Sequence, residues 1–453
     1  MRVRLPPDRP PSPPGPIRAN FSLRRQTLAA FERLLPLLLS LCSPHHVTDD
    51  STGEWSTLQR LLPAGWQRAA VTQKAFQRAR CLPSAAALLR LLLFHAVSDG
   101  SLRSSVEAAA DAGLGRLSDV ALRKRLAASV GWLRWLNQRL CSAFRAAKPP
   151  GQQRLRLLDG STIQGPRSTG TEWRLHYTID LPSLDCDWHH VSDAHTSEAL
   201  ELVPVRRGDV LIADRNYLRP PGVRHVCRAG GHVVVRLKWA HPRMSDDAGR
   251  RVHALTRARR RRVGEPGDWA VGLEDPTTPA KPLQGRIITI KLPAPLAARQ
   301  RERVRKSASK KGRTPDPRSL EAAQFVMLFT TLPADEFDAV RVLTIYRWRW
   351  QVELAFKRLK QLLRLGHLPH TDTAAALGWI LSKLTVALLL EKLYRQARSV
   401  SPWGYELAGS ALGAPFAEPL ALVEASDSLP ASVPVPSTAS RGAVRQRVSP
   451  RVA

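Results

Sequence analysis

Between residues 345 and 363 the chain reads IYRWRWQVELAFKRLKQLL, with Tyr346, Arg349, Glu353 and Lys360 spaced by three, four and seven positions. At about 100° of helix per residue, those four side chains fall within roughly 60° of one another on a single stripe. The stretch has no proline or glycine and is rich in good helix formers, so the spacing predicts one helix over 345–363. Leu354, Leu359, Leu362 and Leu363 lie off the stripe and can pack inward. One reading of the stripe is a solvated charged face with i,i+4 pairs. The other is a metal-ligating carboxylate beside a phenol and two cations that clamp phosphates.

Two aspartates elsewhere can join Glu353. Asp159 sits in RLRLLDGSTI, whose apolar run predicts a strand ending at Asp159. Asp214 follows the apolar residues 210–213 in GDVLIADRNY, a run suited to a buried strand ending at Asp214. Three carboxylates on rigid elements, meeting at one end of a sheet, make an oxygen-rich site for one or two Mg²⁺ or Mn²⁺ ions. Two such ions about 3.5–4 Å apart activate an attacking water or 3′-hydroxyl and stabilise the leaving oxygen in an in-line displacement at phosphorus. Taken singly, Asp159 also fits a turn-initiating DGST, and Asp214 a helix cap. Asp185, Asp187 and Asp193 compete for the metal role without a comparable motif. His189, His190 and His195 are set aside, because phosphoryl-transfer sites for hard cations use carboxylates.

The composition narrows the partner. With 69 Lys and Arg against 38 Asp and Glu, the formal net charge is +31, which points to a polyanion, nucleic acid ahead of a membrane surface. The five cysteines, Cys42, Cys81, Cys141, Cys186 and Cys227, are widely spaced with no CxxC, so neither a disulfide framework nor a zinc site is expected. The apolar run 34–41 is too short to span a bilayer, and 377–390 is interrupted by Lys383. The first thirty residues are rich in arginine and proline rather than signal-like, so a soluble, cytoplasmic protein is expected.

The supporting elements divide the chain. Residues 1–22 form a proline-rich arm and 413–453 a Ser/Pro/Val-rich tail, both expected to be disordered. Residues 23–150 form a helical DNA-binding region, with runs at 34–41, 85–96, 102–110 and 121–144. Within it come a helix, a turn carrying Gly113 and Gly115, and a second helix capped by Ser118 and bearing Arg123, Lys124 and Arg125. That pair reads equally as a DNA-reading helix-turn-helix or as a helical hairpin with a basic outer face. From Arg154 the pattern turns to strands, at 154–159, 171–181, 188–191, 208–217 and 232–237, with a short helix opened by Pro220. Their order, with a later long helix, resembles a ribonuclease-H-like mixed sheet. Residues 151–238 and 323–412 then form the two parts of a catalytic core, with a strand at 325–331, a helix capped by Asp335 and covering helices from 366. Residues 239–322 are read as a β-containing basic insertion with a strand at 285–292. Its basic runs are read as loops lying against DNA backbone, with a flexible, poorly ordered basic loop as the other and favoured reading for 299–313. The expected fold class is mixed α/β.

With LLDGST at Asp159, IADRNY at Asp214 and every spacing of YRWRWQVELAFKRLK met, the chain resembles the DDE transposases of bacterial insertion sequences. The branch is that with a Tyr-x2-Arg-x3-Glu-x6-Lys signature, the IS-four family, and the likeness runs over roughly residues 88–390. Asn216 stands where the family more often has glycine, and Asn also tolerates left-handed backbone angles. The resemblance implies metal-dependent cleavage at transposon ends and strand transfer into target DNA, that is, cut-and-paste transposition. Asp159, Asp214 and Glu353 would hold the ions, Tyr346, Arg349 and Lys360 would grip phosphates near the cleaved end, and Glu198 would support the site. Some members release the element through a DNA hairpin and stack a flipped base on tryptophan. Trp350 matches one such aromatic, with core packing as its other reading. The implied partners are double-stranded DNA, as terminal inverted repeats and target, and a second copy of the chain in a synaptic complex. The implied location is the bacterial cytoplasm, at the nucleoid when bound. Two alternatives stay open: a catalytically inactive or domesticated DNA-binding relative, and a nuclease of the same fold without strand transfer.

Overall fold

The structure, a computed structural model, describes residues 54–98, 100–144, 153–166, 170–181, 183–276 and 282–400. The arm, the run 34–41, Cys42, the tail and the end of the covering helices past residue 400 lie outside the described residues. Among the described residues, six helices come first: α1 (Glu54–Leu61), α2 (Trp66–Thr72), α3 (Ala85–Ser98), α4 (Leu102–Asp111), α5 (Asp119–Ala128) and α6 (Val130–Phe144). Gly113 and Gly115 turn the chain between α4 and α5 with φ of 67° and 141°. A Cβ on Gly115 would lie 2.0 Å from the Cys81 carbonyl oxygen, so only glycine passes there. Ser118 caps α5, accepting from the Ala121 N–H. The single helix expected over 121–144 is two. Ser129 N–H shares the Arg125 and Leu126 carbonyls at 3.0 and 3.2 Å, and this tightening turns the chain into α6.

The remaining elements are β1 (Arg154–Gln164), β2 (Thr171–Asp180), β3 (Cys186–Asp193), β4 (Asp209–Ala213), α7 (Pro220–Arg228), β5 (His232–Arg236), β6 (Met244–Ser245), α8 (Ala254–Ala258), β7 (Pro266–Leu273), β8 (Leu283–Lys291), α9 (Ala294–Ser309), α10 (Pro317–Ala322), β9 (Phe325–Thr330), α11 (Ala339–Arg347), α12 (Trp350–Gln361) and α13 (Thr373–Val400). The strands form one sheet in the order β3-β2-β1-β4-β5-β9-β8-β7-β6. β4 runs parallel to both β1 and β5, and the other neighbours are antiparallel. An antiparallel meander followed by parallel crossovers, in the order 3-2-1-4-5, is the ribonuclease-H-like arrangement expected within a mixed α/β fold. The segment 239–322 adds β7 and β8 to that same sheet, joined through β9.

Side-chain alternation sends each strand into two cores. Leu157, Val210, Ile212 and Val234 face a core shared with α12, α13 and the six leading helices. Leu158, Leu211, Ala213, Val233 and Val235 face a second core closed by α7. All five residues of β4 are buried, as a parallel strand covered on both faces requires. At the end of β1 away from Asp159, Arg154 and Arg156 meet Asp187 and Asp209, with Arg156 Nε 2.6 Å from Asp187 and Arg154 Nε 3.0 Å from Asp209. Arg156 and Asp187 have no exposed side-chain surface, so the charges are mutually neutralised and pin β1 to β4. Asp187 is thereby removed from the contest for the metal. Residues 373–396 of α13 are long and apolar enough to cross a membrane, but 89% of their apolar 18-residue stretch is buried inside the protein, so the helix serves as core.

Three further expectations are corrected. β1 continues past Asp159 to Gln164 because its antiparallel partner β2 pairs along that whole length, whereas β4 stops pairing at Leu158. The basic run at 299–313 is not a loop as far as Ser309 but lies in the 16-residue helix α9. Ala, Arg, Gln and Glu favour helix, and Leu296 and Ala297 anchor its first turns against Leu292. Asp338 rather than Asp335 caps α11, accepting from Arg341 N–H at 2.7 Å.

Candidate catalytic site

Strand register assembles the site. Leu158 is level with Ala213 across the parallel β1–β4 pair, so Asp159 and Asp214 come next on neighbouring strands. Both alternate onto the face that carries Leu157 and Ile212, the face covered by α12. One strand further, Ala213 is level with Val235, which puts Arg236 beside Asp214 on the same face. Glu353 comes from the first turn of α12, laid over these strand ends. The predicted single helix over 345–363 is instead α11 and α12 joined at Trp348 and Arg349. Both residues keep right-handed helical angles, but Trp348 N–H bonds Ile345 O at 3.1 Å and Arg349 N–H bonds Tyr346 O at 3.0 Å. This 3₁₀ tightening re-aims Arg349 toward the strand ends.

There Arg349 bridges the acids. Its Nη1 lies 3.3 Å from Asp159 Oδ2, and its Nη2 donates to Glu353 Oε1. Asp159 Oδ1 also accepts from the Gly160 N–H at 2.8 Å. Burial pushes the Asp159 carboxyl up to about 6, against the pull of Arg349 and the Gly160 N–H, and Glu353 and Glu198 push it further the same way. Burial alone would lower the Arg349 guanidinium, but Tyr346, Glu353, Asp159 and Asp214 together hold it above its ordinary value. A perturbed carboxyl paired with a specific charge in a cleft is the electrostatic mark of a functional site.

Glu198 sits just behind. It accepts from Asn216 Nδ2 at 3.2 Å, and a Cβ on Gly160 would come within 2.8 Å of its Oε1. Glycine in the DGST motif therefore admits the Glu198 carboxylate, and Asn216 anchors it. The Tyr217 phenol, 1% exposed, is raised by burial and then by Asp159 and Glu198. The other competitors are occupied elsewhere. Asp193 accepts from the N–H groups of His195 and Thr196 in a local turn, and Asp185 pairs with Arg395 at 3.7 Å. His189 is held near 4 by burial and by His190, on the edge strand β3 away from the acids.

The residues expected to touch DNA are spread out. Tyr346 is buried against Arg349, and Trp350, 7% exposed, is packed inside. Lys360 is exposed in the last turn of α12. On α5, Leu122 and Leu126 pack inward, Arg123 and Lys124 are exposed, and Arg123 lies 3.7 Å from Asp372. Arg125 turns back to the Ala75 carbonyl at 3.4 Å. A cleft of about 1100 Å³ opens beside the acids, lined by Asp214, Arg236, Lys238, Arg303, Lys311 and Arg349. Arg236 is a site residue that the motif reading missed; its only signal was its place at the end of the apolar run HVVVR. Arg303 and Lys311 come from the basic run 299–313.

Among the described residues, no three His, Cys, Asp or Glu side chains are grouped so as to hold a metal ion. The Arg349 guanidinium lies between Asp159 and Glu353. The donor chemistry still suits a hard cation, since these carboxylates already enclose one positive charge and offer only oxygen.

The family model for the transposase DDE domain matches residues 150–389. The InsL protein of insertion sequence element IS186A in Escherichia coli strain K12 is 33% identical over 333 residues, 72% of this chain and 90% of that protein. The transposase for insertion sequence element IS421 of Escherichia coli is 34% identical over 336 residues, again 72% and 90%. A chain in the cryo-EM structure of a piggyBac transposase synaptic complex with hairpin DNA aligns over 84% of both chains at 12% identity and a TM-score of 0.33.

Proposed function

This chain belongs to the transposase DDE domain family, the DNA transposases of insertion sequences, and from that premise we propose that Asp159, Asp214 and Glu353 are its catalytic carboxylates. The family uses divalent metal ions, and here the three carboxylates would hold two Mg²⁺ or Mn²⁺ ions. Bound there, the ions supply an activated oxygen nucleophile and neutralise the leaving oxygen in displacement at phosphorus.

The chain's own side chains do the rest. β1 and β4 fix Asp159 and Asp214 through backbone pairing, so little freedom is lost when they take up ligands. Glu198 and Asn216 hold the backbone behind Asp159 in place. Arg349, Arg236 and Lys360 bind phosphates on either side of the cleaved bond, with Tyr346 packed to orient Arg349. Trp350 meets a displaced base only if it leaves its packed position. Arg123, Lys124 and Arg125, on the second helix of the α4–α5 pair, belong to a DNA-binding region at 54–144. Residues 153–238 and 323–400 form the catalytic core, with 239–322 inserted between them.

The substrate is double-stranded DNA, cut at terminal inverted repeats and joined to target. Two copies of the chain pair two ends in a bacterial cytoplasm, at the nucleoid when bound, an assignment that rests on family membership. The observation that supports the active-site reading best is the bridge of Arg349 between Asp159 and Glu353, over strand ends whose register brings Asp214 alongside. A strand-transfer assay on paired, uncut ends with target DNA tests it. Joined products are expected; nicks alone would point to a nuclease, and uncut DNA to an inactive relative.

A further inference from the structure

Arg349 stands at the border of two sites. Its guanidinium bridges Asp159 and Glu353, and the same side chain, 19% exposed, lines the basic cleft beside Asp214. Arg236, Lys238, Arg303 and Lys311 on the cleft walls make it a seat for the phosphates of a DNA strand. A guanidinium binds carboxylate and phosphate through the same planar fork, and it keeps its charge in either place. It cannot leave a carboxylate's oxygens open to a hard cation while it holds them.

We propose that Arg349 exchanges partners between these sites. In the chain without DNA it closes Asp159 and Glu353 against a divalent ion. A backbone phosphate entering the cleft draws the guanidinium away, and the two acids open to the ion. Because ion and phosphate each favour the same position of one side chain, each strengthens the other's binding. The consequence is that the acids take up metal mainly when a DNA strand lies beside them. Arg349 is here a positioning residue for the acids, a role additional to its phosphate contact, and the inference rests on the active-site reading above.

Mn²⁺ binding to the full chain tests it, read by isothermal titration and by the electron paramagnetic resonance signal of free Mn²⁺. Without DNA, Arg349→Gln and the stem-preserving Arg349→Met should bind Mn²⁺ about tenfold more tightly than the parent, a size usual for such couplings. Adding a pre-cleaved end duplex, with the Mn²⁺ bound by the duplex alone subtracted, should tighten the parent by a similar factor and leave both variants unchanged. Equal or weaker Mn²⁺ binding by the folded variants, or a parent affinity indifferent to DNA, would overturn the exchange. Asp159→Asn and Glu353→Gln separate the two readings. If they bind Mn²⁺ as the parent does, the active-site assignment itself fails. If they lose Mn²⁺ while the Arg349 variants gain nothing, only the exchange fails.

Discussion

Among the described residues, the half-buried Asp159 and the buried Glu391 are both held far above the ordinary carboxyl range, and their neighbours assign them different work. Asp159 is raised to about 6 beside Arg349, Glu353 and Glu198, and Arg349 in turn lines the basic cleft. Asp214 and Glu353 complete that group, so Asp214→Ala or Glu353→Ala should reduce cleavage below detection while end binding stays largely intact. Cleavage at the parental rate by either variant would remove that residue from the site. Glu391, in contrast, lies deep on α13, accepting from Tyr177 Oη at 3.2 Å and Cys186 N–H at 3.0 Å. Burial raises it to about 7, Asp185 adds to this, and Arg358 and the two hydrogen bonds oppose. A carboxyl whose folded pKa exceeds its unfolded one favours the fold fully below its ordinary value of 4.5, and that contribution is lost as pH rises through about 7. Glu391→Gln keeps the shape and cannot ionise. It should therefore match the parent near pH 4.5 and exceed it by about 3 kcal/mol at pH 8, from the 1.36 kcal/mol carried by each unit of pKa. A denaturant titration at both pH values reads this; a variant less stable at pH 8 would show that the hydrogen bonds outweigh burial.

At the scale of elements, much of the site was legible because strand alternation is periodic. The apolar runs before Asp159 and Asp214 show which elements carry them, and the signature spacing on 345–363 keeps Arg349 near Glu353 even though the helix is broken. The break itself left no mark in the residues. Trp348 and Arg349 are both compatible with helix, and only a shift from i→i−4 to i→i−3 bonding separates α11 from α12. Arg236 was hidden for another reason: its meaning depends on the β4–β5 register, which no local pattern carries. In α9, charge density suggested a solvated loop, but two anchoring residues and high intrinsic propensity are enough for a helix. If its inner face and the turn that follows it lie along a DNA strand, Arg303→Ala with Lys311→Ala should weaken end binding and make the log–log salt dependence shallower by about two counterions. Lys360→Ala, at the end of α12, should remove about one. An unchanged slope for the double variant would take α9 out of the DNA interface.

At the scale of the whole molecule, the leading helices and the acid-bearing strands are not separate bodies. One apolar core runs from Trp55 in α1 through Trp132 in α6 and Leu157 in β1 to Leu390 in α13, with α13 as its spine. The contact is close enough that a Cβ on Gly378 of α13 would sit 2.3 Å from the Leu126 carbonyl oxygen of α5. No side chain can give way there, because the obstruction is backbone. Gly378→Ala must push α5 off the spine, at an overpacking cost of about 1–3 kcal/mol. Since the same spine covers the face that holds Asp159 and Asp214, the loss should reach the sheet as well as the helices. Far-ultraviolet circular dichroism and tryptophan fluorescence should therefore report one coincident thermal transition in the parent, and one lowered by at least about 2 °C in Gly378→Ala. A variant in which the helices melt first while the sheet keeps its parental midpoint would mean that the shared core does not couple them, and the α4–α5 pair would then have to be treated as an appended unit rather than part of the frame that aims the acids.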